Sequence, residues 1–175
     1  MNIRNIVLCS LFSALLCVCS WIAVPVGNAV ITLQTFALFL CLTLLGGKRG
    51  SIVCLVYLLL GGVGLPVFSG FRGGLGMLFG ATGGYLMGFL AAALLYWLIT
   101  SLFGARFPVK LFALLSGLVV CYAFGTFWVV RTSLSAGNAL SIGAVLLQCV
   151  VPYLLPDIAK LCFSLFLSQR LRRHL

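Results

Sequence analysis

Long apolar runs, broken only by short clusters of glycine, proline and basic residues, fill this chain from Ile6 to Leu167. Each run is close to the roughly 20 residues that a helix needs to cross a bilayer. Charged residues make up 7% of the 175 positions, against about 25% in an average soluble domain. A water-facing surface cannot be built from so few charges. The expected fold is therefore an all-α integral membrane protein forming one domain over residues 1–175.

Reading apolar runs between breakers gives six expected transmembrane helices. They cover about 6–24 (ending at Pro25), 29–45 (ending at Gly46 and Gly47), 51–64, 77–102, 111–130 and 141–167. With a cytoplasmic N-terminus, Arg4, Lys48, Arg49, Arg106, Lys110, Arg170, Arg172 and Arg173 fall inside. Arg72 and Arg131 fall outside, and Lys160 lies within the last run. Basic residues favour the cytoplasmic side, so this asymmetry orients the chain and puts both termini inside. Residues 1–20 have one positive charge and an apolar core, but no Ala-x-Ala site follows, so they read as a retained first span.

Several functions are excluded. The formal charge of +10 is spread singly or in pairs between apolar runs, as topology signals are, and not gathered into a nucleic-acid patch. Asp157 is the sole acid and His174 the sole imidazole, which leaves no metal site and no paired-carboxylate or His–acid catalysis. The chain reads as no enzyme. The eight cysteines all lie in apolar runs, include no C-x-x-C pair and read as small hydrophobes.

Polar side chains within the apolar runs are the candidate site. Asp157 and Lys160, three apart, share a helix face. Either charge costs about 2.5–3.5 kcal/mol at mid-membrane on translocon scales, so the pair implies mutual contact and a use. Pro156 at a first helical turn would hold Asp157 at a positive helix end. Thr32, Gln34 and Tyr85 are uncharged candidates at a similar depth, toward the outer halves of their spans. The stretch from Ser69 to Gly76 reads as a mobile lid or a backbone hydrogen-bonding surface, with Arg72 as its only charge and Gly73 and Gly74 beside it. It lacks the Lys-Ser/Thr of a P-loop. Gly76, Gly80, Gly84, Gly88 and Ala92 recur every four residues, an expected ridge for close helix approach. Ser10 and Ala14 make a shorter small-x-x-x-small pair in the first span.

Four segments carry a resemblance to a known family: Ile31-Thr32-Leu33-Gln34-Thr35; Gly64-Leu65-Pro66-Val67-Phe68 leading into Gly73-Gly74-Leu75-Gly76; Gly80 to Tyr85; and Leu155-Pro156-Asp157-Ile158-Ala159-Lys160. In order and spacing they resemble the BioY proteins, biotin-binding S components of energy-coupling factor (ECF) transporters. Ala81 stands where that family usually has Pro, and Pro156 directly precedes Asp157 where the family usually has Pro-Gly-Asp. The resemblance implies an S-component-like bundle in the bacterial cytoplasmic membrane that takes up biotin from outside. Biotin is then cargo, and no cofactor is implied. The implied partners are membrane lipid, a transmembrane coupling protein and two cytoplasmic ATPases, with Ser10 and Ala14 docking the coupling protein. It also implies biotin contacts by Asp157, Lys160, Gln34, Thr32 and Tyr85, and we expect Arg72, Gly73 and Gly74 to meet the carboxylate of its valerate tail. An S component for another small vitamin, or a stand-alone small-solute facilitator, is the alternative reading.

Overall fold

The structure, a computed structural model, describes residues 2–26, 29–135, 137 and 141–171. It is mostly helical. In chain order it comprises α1 (Ile3–Trp21), strands β1 (Ala23–Val26) and β2 (Ala29–Thr32), α2 (Gln34–Leu45), α3 (Gly47–Gly62), the short α4 (Leu75–Phe79), α5 (Gly83–Phe103), α6 (Phe107–Ser135), α7 (Ile142–Cys149) and α8 (Val151–Leu171). By length and composition α1, α5, α6 and α8 can each cross a membrane. At 12 and 16 residues, α2 and α3 reach only about 18 and 24 Å, short of a hydrocarbon core of about 30 Å. Arg172, Arg173 and His174 lie outside the described residues.

Four of the expected spans are redrawn. The second starts at Gln34, because residues from Ala29 to Thr32 pair antiparallel with Ala23–Val26 as a hairpin. The sequence signal was a Gly-Asn pair, Gly27 and Asn28, between two β-branched stretches. The fourth is interrupted at Gly80, Ala81 and Thr82, between α4 and α5. There the chain folds back so tightly that a Cβ on Gly83 would overlap the carbonyl of Leu78. The fifth extends to 29 residues, with Pro108 at its N-terminal turn, where a missing N–H is harmless. The sixth divides at Val150 into α7 and α8. Pro152, not Pro156, therefore occupies the first turn of α8, and Pro156 lies inside the helix.

At the end of α3 the N–H of Leu65 donates to the carbonyl of Leu60 (3.2 Å) and that of Gly64 to Gly61 (3.1 Å). This is a Schellman stop, and it requires the positive φ of +108° that Gly64 supplies.

The helix α2 is the centre of the bundle. It packs on α1, α3, α5 and α8, and every residue from Ala37 to Thr43 is buried. That explains why its sequence is apolar all round and not on one stripe. In lipid no hydrophobic force drives helices together, so close packing and hydrogen bonds hold the bundle. The most extensive contact is the α5–α6 pair, where a Cβ on Gly84 would overlap Trp128 and one on Gly125 would overlap the Tyr85 ring. The expected ridge is thus shortened. Gly84, Gly88 and Ala92 meet α6, Gly80 lies in the break with its carbonyl accepting from Trp128 of α6, and Gly76 precedes the break and faces open space.

The hairpin, the 63–74 segment and α7 cluster at one end of the bundle. Trp21 Nε1 there donates to the Pro66 carbonyl (2.8 Å) and its ring stacks on Phe71 at 5.0 Å. Arg72 and Arg131 lie at this end. The turns at Gly46 and at 104–106 lie at the other, with Arg4, Lys48, Arg49, Arg106 and Arg170.

Candidate functional site

Asp157 lies two turns into α8, only 3% exposed. Lys160, one turn further on, donates to its Oδ1 at 2.8 Å. The hydroxyl of Thr35, in the first turn of α2, donates to the same oxygen (2.8 Å) and accepts from Lys160 Nζ (3.1 Å). Tyr122, midway along α6, donates to Oδ2 at 2.7 Å. One carboxylate therefore ties three helices together. The arrangement meets the requirement for a buried charge in a low dielectric, which is costly unless it is both paired and hydrogen-bonded.

Thr35 and Tyr122 are the members that sequence reasoning missed. Thr35 sits next to Gln34, the residue singled out in that run. Tyr122 is one of few hydroxyl-bearing side chains at mid-span, and its position relative to Asp157 depends on how α6 packs against α8.

The other candidates are dispersed. Gln34 is buried, but its Nε2 donates to Tyr57 OH (2.7 Å), which donates in turn to the Val67 carbonyl (3.1 Å). Thr32 ends β2, half-buried. Tyr85 is on α5 with its ring against Gly125. Ser10 and Ala14 are both exposed on α1, with Val7, Leu11 and Val18 on the same outward face, while Ser13 and Cys17 point into the core.

The segment expected to be a lid is anchored. Ser20 Oγ and Tyr57 OH both donate to the Val67 carbonyl, and Gly74 N–H donates to Gly61 (2.7 Å). Phe68, 1% exposed, packs edge-on against Tyr57. The tip, from Gly70 to Arg72, projects outward, as does Leu75 at the start of α4. Gly74's N–H is thus already committed, against the expectation that it would meet a ligand. Gly73 is packed against the carbonyl of Leu65.

Beside the ion pair lies an apolar cleft of about 470 Å³ between α6 and the α7–α8 junction. Ala123 and Phe127 form one wall, Ile142 and Leu146 the other. Tyr122 belongs to both features: its hydroxyl holds Asp157 and its side chain lines the cleft. An apolar slot of this size with a few convergent polar groups is the usual form of a small-molecule site. Among the described residues no group of His, Cys and acid could hold a metal ion.

The BioY family profile matches residues 1–175. The biotin transporter BioY of Thermotoga maritima is 35% identical over 170 residues, covering 97% of this chain and 96% of its own. That of Rhodobacter capsulatus is 40% identical over 138 residues, covering 74% and 72%. A crystal structure of the S-component for biotin from an ECF-type ABC transporter superposes with a TM-score of 0.83 at 23% identity, over 98% of this chain and 92% of that one. At that identity the likeness establishes the fold.

Proposed function

The chain belongs to the BioY family, and on that premise we propose that it is a membrane transport protein that captures biotin from outside as the S component of an ECF transporter. In this reading all six main helices cross the bacterial cytoplasmic membrane, with the short α2 shielded from lipid by its neighbours. The end of the bundle rich in Arg and Lys faces the cytoplasm. ATP is handled by two partner ATPases through a coupling protein.

The observation that carries the reading is the buried Asp157–Lys160 pair joined by Tyr122 to the apolar cleft. An ionised carboxylate offers about four acceptor sites and an ammonium three donors. Lys160, Thr35 and Tyr122 fill three of the former, and Asp157 and Thr35 two of the latter. One acceptor and one donor remain. They match one N–H and the carbonyl of biotin's ureido ring, while the cleft walls suit its thiophane ring and methylene chain. Thr32 serves from the end of β2 and Gln34 from the outer start of α2, Gln34 by fixing Tyr57 and the segment beneath the tip loop.

Radiolabelled biotin should bind the detergent-solubilised chain saturably and be displaced by unlabelled biotin, but not by thiamine or riboflavin. Equal displacement by all three would reject biotin as the cargo.

Two further outcomes are expected. In this reading Arg72, exposed at the hairpin end of the bundle with Gly73 beside it, meets the carboxylate of biotin's tail. Wild type should then prefer biotin over biotinamide, and Arg72→Ala should lose most of that preference. Equal discrimination by both proteins would remove Arg72. On α1, Ala14→Leu or Ser10→Leu should prevent co-purification with the coupling protein yet leave biotin binding unchanged, because only the outward face of the helix is altered. Normal co-purification would end that role.

A further inference from the structure

The first turn of α2 is held from two sides. Its N-cap is Leu33, which offers the leading N–H groups no side-chain bond, so no local cap fixes where the helix begins. Side-chain bonds to other helices do so instead. Thr35 reaches α8, where it donates to Asp157 Oδ1 and accepts from Lys160. Gln34, the residue before it, reaches α3, where its Nε2 donates to Tyr57 OH (2.7 Å). That hydroxyl donates in turn to the Val67 carbonyl (3.1 Å), which also accepts from Ser20 on α1. Tyr57 is fully buried and Gln34 nearly so. A phenylalanine would fill the same space, and a buried phenol is unfavourable unless it is bonded. Its bonds also have a fixed direction. A carbonyl can only accept, so Tyr57 gives Val67 its one proton and can only accept from Gln34, which orients the amide with its nitrogen toward α3.

Two buried networks therefore meet in the backbone between Gln34 and Thr35. One joins α1, α2, α3 and the 63–74 segment, and the other joins α2, α6 and α8. We propose that Tyr57 is a positioning residue of the biotin site: by holding Gln34, its hydroxyl sets where Thr35 stands against Asp157 and Lys160. The inference rests on the biotin reading above. Among the described residues Tyr57 makes no hydrogen bond to the ion-pair cluster, so it acts only through α2. Thr35 takes one acceptor site of the carboxylate and one donor of the ammonium, and its position decides where the remaining acceptor and donor point. Hydrogen bonds between oxygens hold to within a few tenths of an ångström of about 2.7–2.8 Å, so a small shift of the first turn of α2 is enough to disturb the cluster. The same link ties the anchored 63–74 segment to the ion pair.

The test is a double-mutant cycle in the full detergent-solubilised chain, read by radiolabelled biotin. Tyr57→Phe removes the hydroxyl and keeps the ring, and Thr35→Val removes the hydroxyl at the ion pair. Tyr57→Phe should weaken binding roughly threefold to tenfold, as expected for one neutral hydrogen bond, and Thr35→Val at least as much. Losses at residues that share no contact normally multiply, to within about twofold. Here the double variant should bind about as well as Thr35→Val alone, because Tyr57 has nothing left to position. Gln34→Met breaks the same link from α2 and should likewise add nothing to Thr35→Val, which keeps the cycle usable if Tyr57→Phe does not fold. Wild type that fails to bind biotin at all overturns the functional reading itself. Wild type that binds, with Tyr57→Phe matching it in affinity, overturns this inference alone. So does a double variant whose loss is the product of the two single losses, since that describes a residue supporting the fold independently of the site.

Discussion

Lys160→Met is expected to destabilise the protein by about 3–5 kcal/mol, the usual consequence of removing one partner from a buried ion pair. The Asp157 carboxylate, 3% exposed, would keep Thr35 and Tyr122 but lose its countercharge. Biotin binding should fall more than tenfold, since the free ammonium donor goes with the lysine. Asp157→Asn alone strands the ammonium in the same way. The double variant Asp157→Asn/Lys160→Met leaves no buried charge and should recover most of the thermal stability while remaining unable to bind. Thermal unfolding in detergent and biotin binding, measured on all three variants, separate the structural and functional roles of the pair. A double variant as unstable as the singles would show that the pair's hydrogen bonds, not its charges, hold α2, α6 and α8 together. Full biotin affinity in both singles would remove the pair from the site.

The α5–α6 seam should be equally unforgiving. A leucine at Gly84 must place its Cβ where Trp128 already stands, and Trp128 is held by its own bond from Nε1 to the Gly80 carbonyl (3.0 Å). Overpacking costs about 1–3 kcal/mol where neighbours can shift. Here the obstacle lies next to the α6 backbone, so the helices must part, and Gly84→Leu should exceed that range and fail to yield a monodisperse protein. Gly84→Ala brings the same Cβ against Trp128 and should already reach the top of that range, with leucine worse still. Gly76, four residues before the break, faces open space, and Gly76→Ala should be neutral or slightly stabilising because alanine is the better helix former. The contrast tests whether the glycine repeat is one ridge or two surfaces. Equal damage at Gly76 and Gly84 would restore the single ridge.

Such contrasts show where sequence reading reached its limit. A period of four placed Gly76, Gly80, Gly84, Gly88 and Ala92 on one helix face, and that holds only while the helix continues. The interruption at Gly80, Ala81 and Thr82 has no strong local signal beyond two more glycines. What fixes it is the close approach of Gly83 to the Leu78 carbonyl and of Trp128 to Gly80. The segment from Ser69 to Gly76 looked mobile because glycine confers freedom on an isolated chain. In the fold, Trp21, Ser20 and Tyr57, all distant in sequence, fasten Pro66 and Val67 at its base. The α7–α8 division was half legible. Pro152 and Pro156 announced a disturbance, but which of them would open the helix depended on the turn at Val150.

The sequence alone determined that this chain lives in a membrane, because charged residues at 7% of 175 positions are too few to build a water-facing surface. It also singled out Asp157 and Lys160, since a charge within an apolar run is too costly to be incidental, and a spacing of three puts both on one helix face whatever else the chain does. The partners of that pair were decided only by the tertiary structure. Thr35 lies 122 residues from Asp157 and Tyr122 lies 35 away. Hydrogen bonding acts over about 3 Å of space and is blind to position in the chain. Only the packing of α2 and α6 against α8 could bring these two hydroxyls to one carboxylate, and open the cleft beside it.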